Sequence, residues 1–164
     1  MTIKEEKKPK KTGYNCISLG ISVPAGDFSS THFAGLTVEY SPASQIIYRK
    51  GKKQNFIYTY NGGLKYYFGK KETPGGYLYK YPGYFILYAF GGIRFLPTSK
   101  FDMSLTTGPA LVFYNGTTRF NIGGILGGRY HINNRFSVSP FIIALKEKNA
   151  DPLWAFGIKA GYDF

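Results

Sequence analysis

Apolar and polar side chains alternate with a period of two along almost the whole chain from residue 13 onward. The pattern is clearest over residues 153–164, where one face is apolar and the other carries small or charged residues. The apolar set is Trp154, Phe156, Ile158, Ala160, Tyr162 and Phe164. A helix would scatter these side chains around its circumference, whereas a strand separates them onto two faces. The pattern therefore predicts a β-strand in this segment.

Turn signals divide the alternating region into eight such segments. Asn115-Gly116 is a strong hairpin signal, and Asn133-Asn134 is a second pair that tolerates the positive φ of tight turns. The predicted strands cover residues 13–23, a segment that ends between Tyr40 and Tyr48, and residues 56–69, 84–96, 101–114, 118–132, 135–145 and 153–164. Segments joined in this way predict an all-β fold, namely an eight-stranded antiparallel up-and-down transmembrane β-barrel.

The lengths of the connections predict how such a barrel is oriented. An even number of strands places both termini at one rim. Connections at the opposite rim cover residues 24–31, 70–82, 115–117 and 146–152, and they are longer on average than 97–100 and 133–134 at the rim of the termini. Outer-membrane barrels have short periplasmic turns and longer outside loops, so the termini are predicted to be periplasmic. The connection over residues 41–55 is the exception.

The charged residues of the strands lie on the face opposite the apolar one. They are Glu39, Lys65, Arg94, Asp102, Arg119, Arg129, Lys159 and Asp163. On the apolar face, aromatic residues gather near the strand ends, for example Phe101 and Phe136 at one rim and Phe113 and Trp154 at the other. Two aromatic belts around an aliphatic band are typical of a lipid-facing surface. We therefore expect the apolar face to meet lipid and the eight charged residues to line the lumen.

The lumen of an eight-stranded barrel is only just wide enough for its own side chains. Opposite charges must pair there, because an unpaired buried charge costs on the order of several kcal/mol. Tyr67, Tyr88 and Phe90 also point inward in this register. We expect a network of salt bridges and water rather than an open pore.

Composition and charge refine this interpretation. The chain has 15 Tyr, 14 Phe and 21 Gly, a composition that suits strands and tight turns. Its net charge is +12, and five of its lysines crowd residues 1–12, which we predict to be a disordered basic tail before a barrel domain over residues 13–164. A nucleic-acid site would need basic and aromatic residues on one face, and here they lie on opposite faces.

Cysteine usage and the N-terminal segment add two expectations. Cys16 is the single cysteine, so the chain forms no internal disulfide and no thiolate metal cluster. No run approaches the ~20 apolar residues of a spanning helix, so any crossing of a membrane uses strands. A secretory leader needs a solid apolar core after its basic start, whereas residues 13–23 alternate. We expect the signal peptide to be absent from this chain.

Two segments resemble a known family. Residues 155–164, which end Gly161-Tyr162-Asp163-Phe164, resemble the C-terminal strand signal of outer-membrane β-barrel proteins. Residues 19–28, Leu-Gly-Ile-Ser-Val-Pro-Ala-Gly-Asp-Phe, followed by Gly35, are similar to the opening hairpin of small outer-membrane β-barrel domains of the OmpA/OmpX type. The resemblance implies an outer-membrane location in a Gram-negative cell, and it implies that Tyr162 and Phe164 are read by the barrel-assembly machinery.

Some eight-stranded barrels are lipid-modifying enzymes, so catalytic residues need a direct search. His131-Ile132-Asn133 loosely resembles the His-x-Ser-Asn stretch of lipid A deacylases, in which histidine activates serine. Asparagine occupies the nucleophile position here, and a side-chain amide is not a nucleophile. Ser137 and Ser139 point inward in the predicted register. We therefore expect a protein that is not an enzyme.

Metal and cofactor sites are equally poorly supported. His32 stands near Asp27 in the first long connection, but two ligands do not make a metal site. Gly123-Gly124 and Gly127-Gly128 lie inside a strand with no helix after it to hold a phosphate, so they serve packing or bending. The sequence predicts no metal and no cofactor.

The leading hypothesis is an integral outer-membrane barrel that acts as a structural, surface-interaction or envelope-complex subunit. A narrow porin or small-solute carrier is the alternative, and a soluble lipocalin-like binder is the third. Expected partners are outer-membrane lipid and lipopolysaccharide, the assembly machinery during biogenesis, and other envelope proteins. One face of each strand meets lipid and the other faces the lumen. We therefore expect loops 24–31 and 70–82 to contact these proteins.

Overall fold

The computed structural model describes residues 15–43, 48–49, 52–53, 55–147 and 151–164. Eight strands form a closed barrel in which each strand pairs antiparallel with the next along the chain and the first pairs with the last. They are β1 (Cys16–Ala25), β2 (His32–Ser41), β3 (Phe56–Gly69), β4 (Tyr84–Phe95), β5 (Phe101–Tyr114), β6 (Thr117–His131), β7 (Phe136–Lys146) and β8 (Leu153–Asp163). The predicted fold class, strand number and order are confirmed.

The connections contain two small hairpins, one short α-helix and a 3₁₀ turn over Pro74–Gly76. The hairpins pair Tyr48–Arg49 with Lys52–Lys53, and Lys71–Glu72 with Tyr79–Lys80. The helix, α1 (Phe28–Thr31), follows β1. No helix in the described ranges has the length and apolar character needed to cross a membrane.

Strands β1 and β8 close the barrel. Their register runs from Cys16 opposite Asp163 to Ala25 opposite Trp154. Backbone hydrogen bonds between Asn15 and Phe164 extend the pairing by one residue. We call the end of the barrel that holds Cys16 and Asp163 the terminal rim, and the end that holds α1 and the 70–83 connection the distal rim.

The strand bounds follow the predicted pattern with small shifts. Strands β3 and β5 begin and end as predicted, whereas β1 begins at Cys16 and continues to Ala25. Strand β2, whose limits the sequence leaves open, covers His32–Ser41. The predicted basic tail of residues 1–12 lies outside the described residues.

The two asparagine turns differ in mechanism. Asn115 and Gly116, the predicted hairpin tip, have φ of 48° and 72°, which are the positive values of a type I′ turn. The turn at Asn133-Asn134 is where the sequence predicts it, but neither residue has positive φ. Instead, the Asn133 side-chain oxygen accepts hydrogen bonds from the backbone N–H groups of Arg135 and Phe136, at 2.8 and 2.9 Å. The turn therefore uses side-chain capping of the backbone and not left-handed residues.

The outer face of the barrel is apolar and exposed. Leu19, Ile21 and Val23 on β1 are each about 60% exposed. Outward apolar residues of the other strands are exposed as well. Aromatic rings gather at the strand ends, where Phe56 stacks on Phe95 at the terminal rim and Phe85 packs on Phe113 at the distal rim. A continuous apolar belt of this extent is unsuited to water and matches a lipid-facing surface. A soluble barrel would instead expose polar side chains on this outer face.

Candidate functional site

The distal half of the lumen is filled by an apolar plug. Inward residues of β3, β4, β5, β7 and β8 form it together: Tyr67, Tyr84, Ile86, Val112, Ile143, Leu145, Leu153 and Ala155. All of them are at most 6% exposed. Helix α1 covers the plug, because the ring of Phe28 lies 5.1 Å from those of Tyr67 and Tyr84. Packed side chains therefore occupy the lumen in this half of the barrel.

A buried charge cluster occupies the middle of the lumen, with Glu39 at its centre. Lys159 Nζ donates to Glu39 Oε1 at 2.5 Å, while the Tyr88 hydroxyl and the Asn61 amide donate to Oε2 at 2.6 and 3.0 Å. Lys65, which is 1% exposed, donates to Thr37 Oγ1 at 3.0 Å. Its ammonium also lies 4.0 Å from the centre of the Phe141 ring, a cation–π distance.

A second charge network lies at the terminal rim and is organised by two aspartates. Arg94 and His131 approach Asp102 at 3.6 and 3.0 Å. His131 also approaches Asp163 at 3.6 Å through its other nitrogen, and Arg129 reaches the same carboxylate at 4.0 Å. His131 therefore bridges two carboxylates that come from β5 and β8. Since His131 belongs to β6, these side chains link β5, β6 and β8 inside the lumen.

Little space remains between the two clusters. The cavity that Glu39, Arg94, Arg129 and Lys159 help to line has a volume of about 30 Å³. This holds about two waters and no larger solute. Asn61 Oδ1 and Arg94 Nε are buried there without a hydrogen bond from or to the described residues, so they are the groups that such waters would satisfy.

The structure places seven of the eight predicted lumen charges inside the barrel. Glu39, Lys65 and Lys159 meet in the middle, and Arg94, Asp102, Arg129 and Asp163 meet at the terminal rim. Arg119 corrects the prediction that all eight charges lie inside the lumen. It has the inward register of β6, but it lies at the distal rim, its side chain is 55% exposed, and it pairs with Glu147 at 3.4 Å. Strand alternation predicts the face of a residue but not its depth, and Arg119 is only two residues from the strand start.

The sequence interpretation missed the bridging role of His131 and the hydrogen bond of Tyr88. The signal for both was limited to their inward register, since each lies on the same face of its strand as the other lumen residues. What it lacked was the closure of the barrel, which brings Asp163 of β8 across to His131 of β6. Tyr162 and Phe164, the predicted assembly signal, lie on the outer face and are about half exposed.

The positions of the candidate catalytic and metal-binding residues do not support either kind of site in the described part of the chain. Ser137 stands directly opposite His131 in the β6–β7 register, but its buried Oγ has no hydrogen-bond partner, so the two do not form a nucleophile–base pair. Both nitrogens of His32 are engaged, by Thr31 Oγ1 at 2.8 Å and the Pro82 carbonyl at 3.1 Å. Within the described ranges, no three His, Cys, Asp or Glu side chains are placed to hold a metal ion.

Solved structures with the same architecture are numerous, although their sequences are distant. The outer membrane protein Ail of Yersinia pestis, in complex with the heparin analogue sucrose octasulfate, is 12% identical, with a TM-score of 0.60 over 93% of this chain and 99% of its own. The outer membrane enzyme PagL is 11% identical, with a TM-score of 0.59 over 91% and 99%. A de novo designed transmembrane β-barrel is 11% identical, with a TM-score of 0.52 over 94% and 98%.

No family model and no curated protein matches the sequence. At these identities the likeness establishes the fold alone. The chain has the closed eight-stranded architecture of small outer-membrane β-barrel proteins. Since that architecture includes a named enzyme, the activity must be argued from the lumen and the rims of this chain.

Proposed function

We propose that this protein is an integral outer-membrane barrel that is closed to solutes, carries out no catalysis and makes its contacts through the loops of the distal rim. The apolar plug is the observation that carries the proposal. It fills the distal half of the lumen, and Phe28 covers it from above. Salt bridges fill much of the other half, so the interior serves the stability of the barrel and not passage through it.

The proposed orientation places the termini in the periplasm and the distal rim outside. The 70–83 connection supports it, because it is the longest fully described one and projects a hairpin beyond the barrel. Tyr77 and Leu78 at its tip are 84% and 70% exposed. In this orientation the outer face meets membrane lipid, while the distal loops meet lipopolysaccharide and other envelope proteins.

Tyr162 and Phe164 fit the proposed role as an assembly signal. They lie on the lipid-facing side of the last strand, and their rings are 6.5 Å apart. Because β8 is a free edge until it pairs with β1, these side chains are available to the assembly machinery before the barrel closes.

A non-catalytic role is supported by the way in which His131 is used. Its two nitrogens face Asp102 and Asp163 inside the lumen, so it points away from any lipid substrate. PagL shares the fold and is an enzyme, but it is only 11% identical to this chain. The candidate nucleophile Ser137 is buried on the inward face, where an acyl chain in the bilayer does not reach it.

Conductance tests the closed barrel directly. We expect the purified protein in a planar bilayer to show no steady channel, because buried apolar side chains fill the distal half of the lumen and the cavity between the charge clusters is about 30 Å³. Insertion is checked on the same preparation by the change in gel mobility on boiling, which folded barrels show. Reproducible conductance steps from inserted protein would contradict the proposal and favour the narrow porin.

A further inference from the structure

A pocket opens at the distal rim, above the apolar plug and between α1 and the connection into β8. Its volume is about 330 Å³, the lower end of the range for small-molecule sites. Its walls are aromatic and acidic side chains from distant parts of the sequence. We call it the distal pocket and define it by Asp27, Phe28, Tyr84, Tyr114, Glu147 and Asp151.

Aromatic rings form the floor of the distal pocket. Phe28 stacks on His32 at 4.4 Å between ring centres, and Tyr84 packs edge-on against Phe28 at 5.1 Å. Tyr114 lies 5.5 Å from Tyr84 and completes the set. Because hydrogen bonds occupy both nitrogens of His32, its ring contributes to the aromatic wall and offers no free base or metal ligand.

Carboxylates form the rim of the distal pocket. Asp27, Glu147 and Asp151 are three of the nine acidic residues of a chain whose net charge is +12. Arg119 is the cation among the lining residues, and it is already paired with Glu147. The lining therefore has a formal charge of −2, from three carboxylates and one guanidinium with His32 uncharged.

Two of these carboxylates have no partner in the described part of the chain. Asp27 stands at the start of α1 but makes no side-chain capping hydrogen bond. Asp151 is exposed and forms no ion pair or hydrogen bond with another described residue. Glu147, in contrast, accepts the hydroxyl hydrogen of Tyr84 as well as the contact from Arg119. The unpaired negative charge thus lies at the pocket mouth, above an aromatic floor.

The aromatic floor and the carboxylate rim of the distal pocket together favour one class of ligand. Aromatic faces attract ammonium and guanidinium groups, and carboxylates add a charge that repels anions. A metal ion would need three converging ligands, which the described residues do not supply. From the aromatic floor and the unpaired carboxylates we infer that the distal pocket binds a small organic cation, an amine or quaternary ammonium with a hydrocarbon body.

The test is calorimetric titration of the full chain, folded in a maltoside micelle whose headgroup is uncharged. Benzyltrimethylammonium is the probe, and benzyl alcohol and benzenesulfonate are its neutral and anionic counterparts. We expect saturable binding of the cation and none of the anion. The double variant Asp27→Asn/Asp151→Asn should weaken cation binding by roughly tenfold or more, because it removes both unpaired charges.

Three further variants separate the contributions. Glu72→Gln removes an exposed carboxylate that contacts Tyr81 outside the pocket, so it should leave the affinity unchanged. Tyr114→Leu should weaken binding, whereas Tyr114→Phe keeps the ring and should retain it. Change in gel mobility on boiling verifies that each variant is folded. Equal affinity for benzyltrimethylammonium and benzyl alcohol, no saturable binding, or an unchanged affinity in the double aspartate variant would overturn the proposal.

Discussion

Replacing Glu39 with glutamine is expected to destabilise the folded barrel by about 3–5 kcal/mol, the cost of leaving a buried charge without its partner. The carboxylate holds Lys159 at 2.5 Å and also accepts hydrogen bonds from Tyr88 and Asn61. With glutamine in its place, Lys159 and Lys65 become two buried cations with no nearby anion. Unfolding by urea, followed in detergent or in vesicles, measures the loss.

Two control variants define the origin of this loss. The double variant Glu39→Gln/Lys159→Met removes one cation with the anion, so it should recover a large part of the lost stability. Arg119→Gln breaks a pair whose arginine side chain is 55% exposed at the distal rim, and it should cost no more than about 1 kcal/mol. If Glu39→Gln alone unfolded at the urea concentration of the unchanged protein, the buried cluster would not stabilise the barrel.

A charge on the lipid-facing side should be the second large effect. Leu105 of β5 and Ile158 of β8 are both about half exposed and lie away from the rims. We expect Leu105→Arg to cost about 2–4 kcal/mol of stability in the membrane, and Ile158→Asp less. The yield of folded protein on insertion into lipid vesicles should fall for both variants.

The matched control adds the same charge in water. Ser99→Arg lies in the exposed turn between β4 and β5 and should insert normally. Normal membrane yield of Leu105→Arg and Ile158→Asp would show that these side chains do not meet lipid, and the register of the barrel would then be wrong.

Lys159 illustrates a limit of the sequence pattern. Alternation alone predicts that Lys159→Gln is tolerated better than a charge at Ile158, because Lys159 faces the lumen. The structure shows that its ammonium is the partner of a buried carboxylate. We therefore expect this substitution also to be costly, and it does not serve as a neutral control.

The strands were predictable where turn chemistry and alternation agree. Strand β5 starts after the Pro97-Thr98-Ser99 turn and ends at Asn115-Gly116, and both limits match. Strand β2 was less certain, because the residues after Ser41 offer no comparably sharp turn signal. The hairpin Lys71–Glu72 with Tyr79–Lys80 lies inside the predicted 70–82 connection, and its bounds could not be predicted because strands of two residues carry no periodicity.

The sequence pattern predicts which charged residues face the lumen, but it does not predict which of them form ion pairs with one another. Asp102 and Arg129 are opposite each other in the β5–β6 register, yet Asp102 is paired with Arg94 and His131. The choice depends on the curvature of the closed sheet, which no local pattern records. The apolar plug was also missed in part. Inward residues such as Ile86 and Ile143 are apolar, so both faces of β4 and β7 are apolar and alternation does not separate the lumen face from the lipid face.

Trp154 offers the most direct test of the central claim, that the apolar outer face of this barrel meets lipid. It is the only tryptophan of the chain, and it lies on the outer face of β8, one residue from the start of the strand at the distal rim. With the protein folded into vesicles, its fluorescence can be quenched by brominated acyl chains or by iodide in the water. We predict strong quenching by lipids brominated near the glycerol, weaker quenching by those brominated near the chain end, and little by iodide. Quenching by iodide with no effect of brominated lipid would contradict the membrane-spanning barrel.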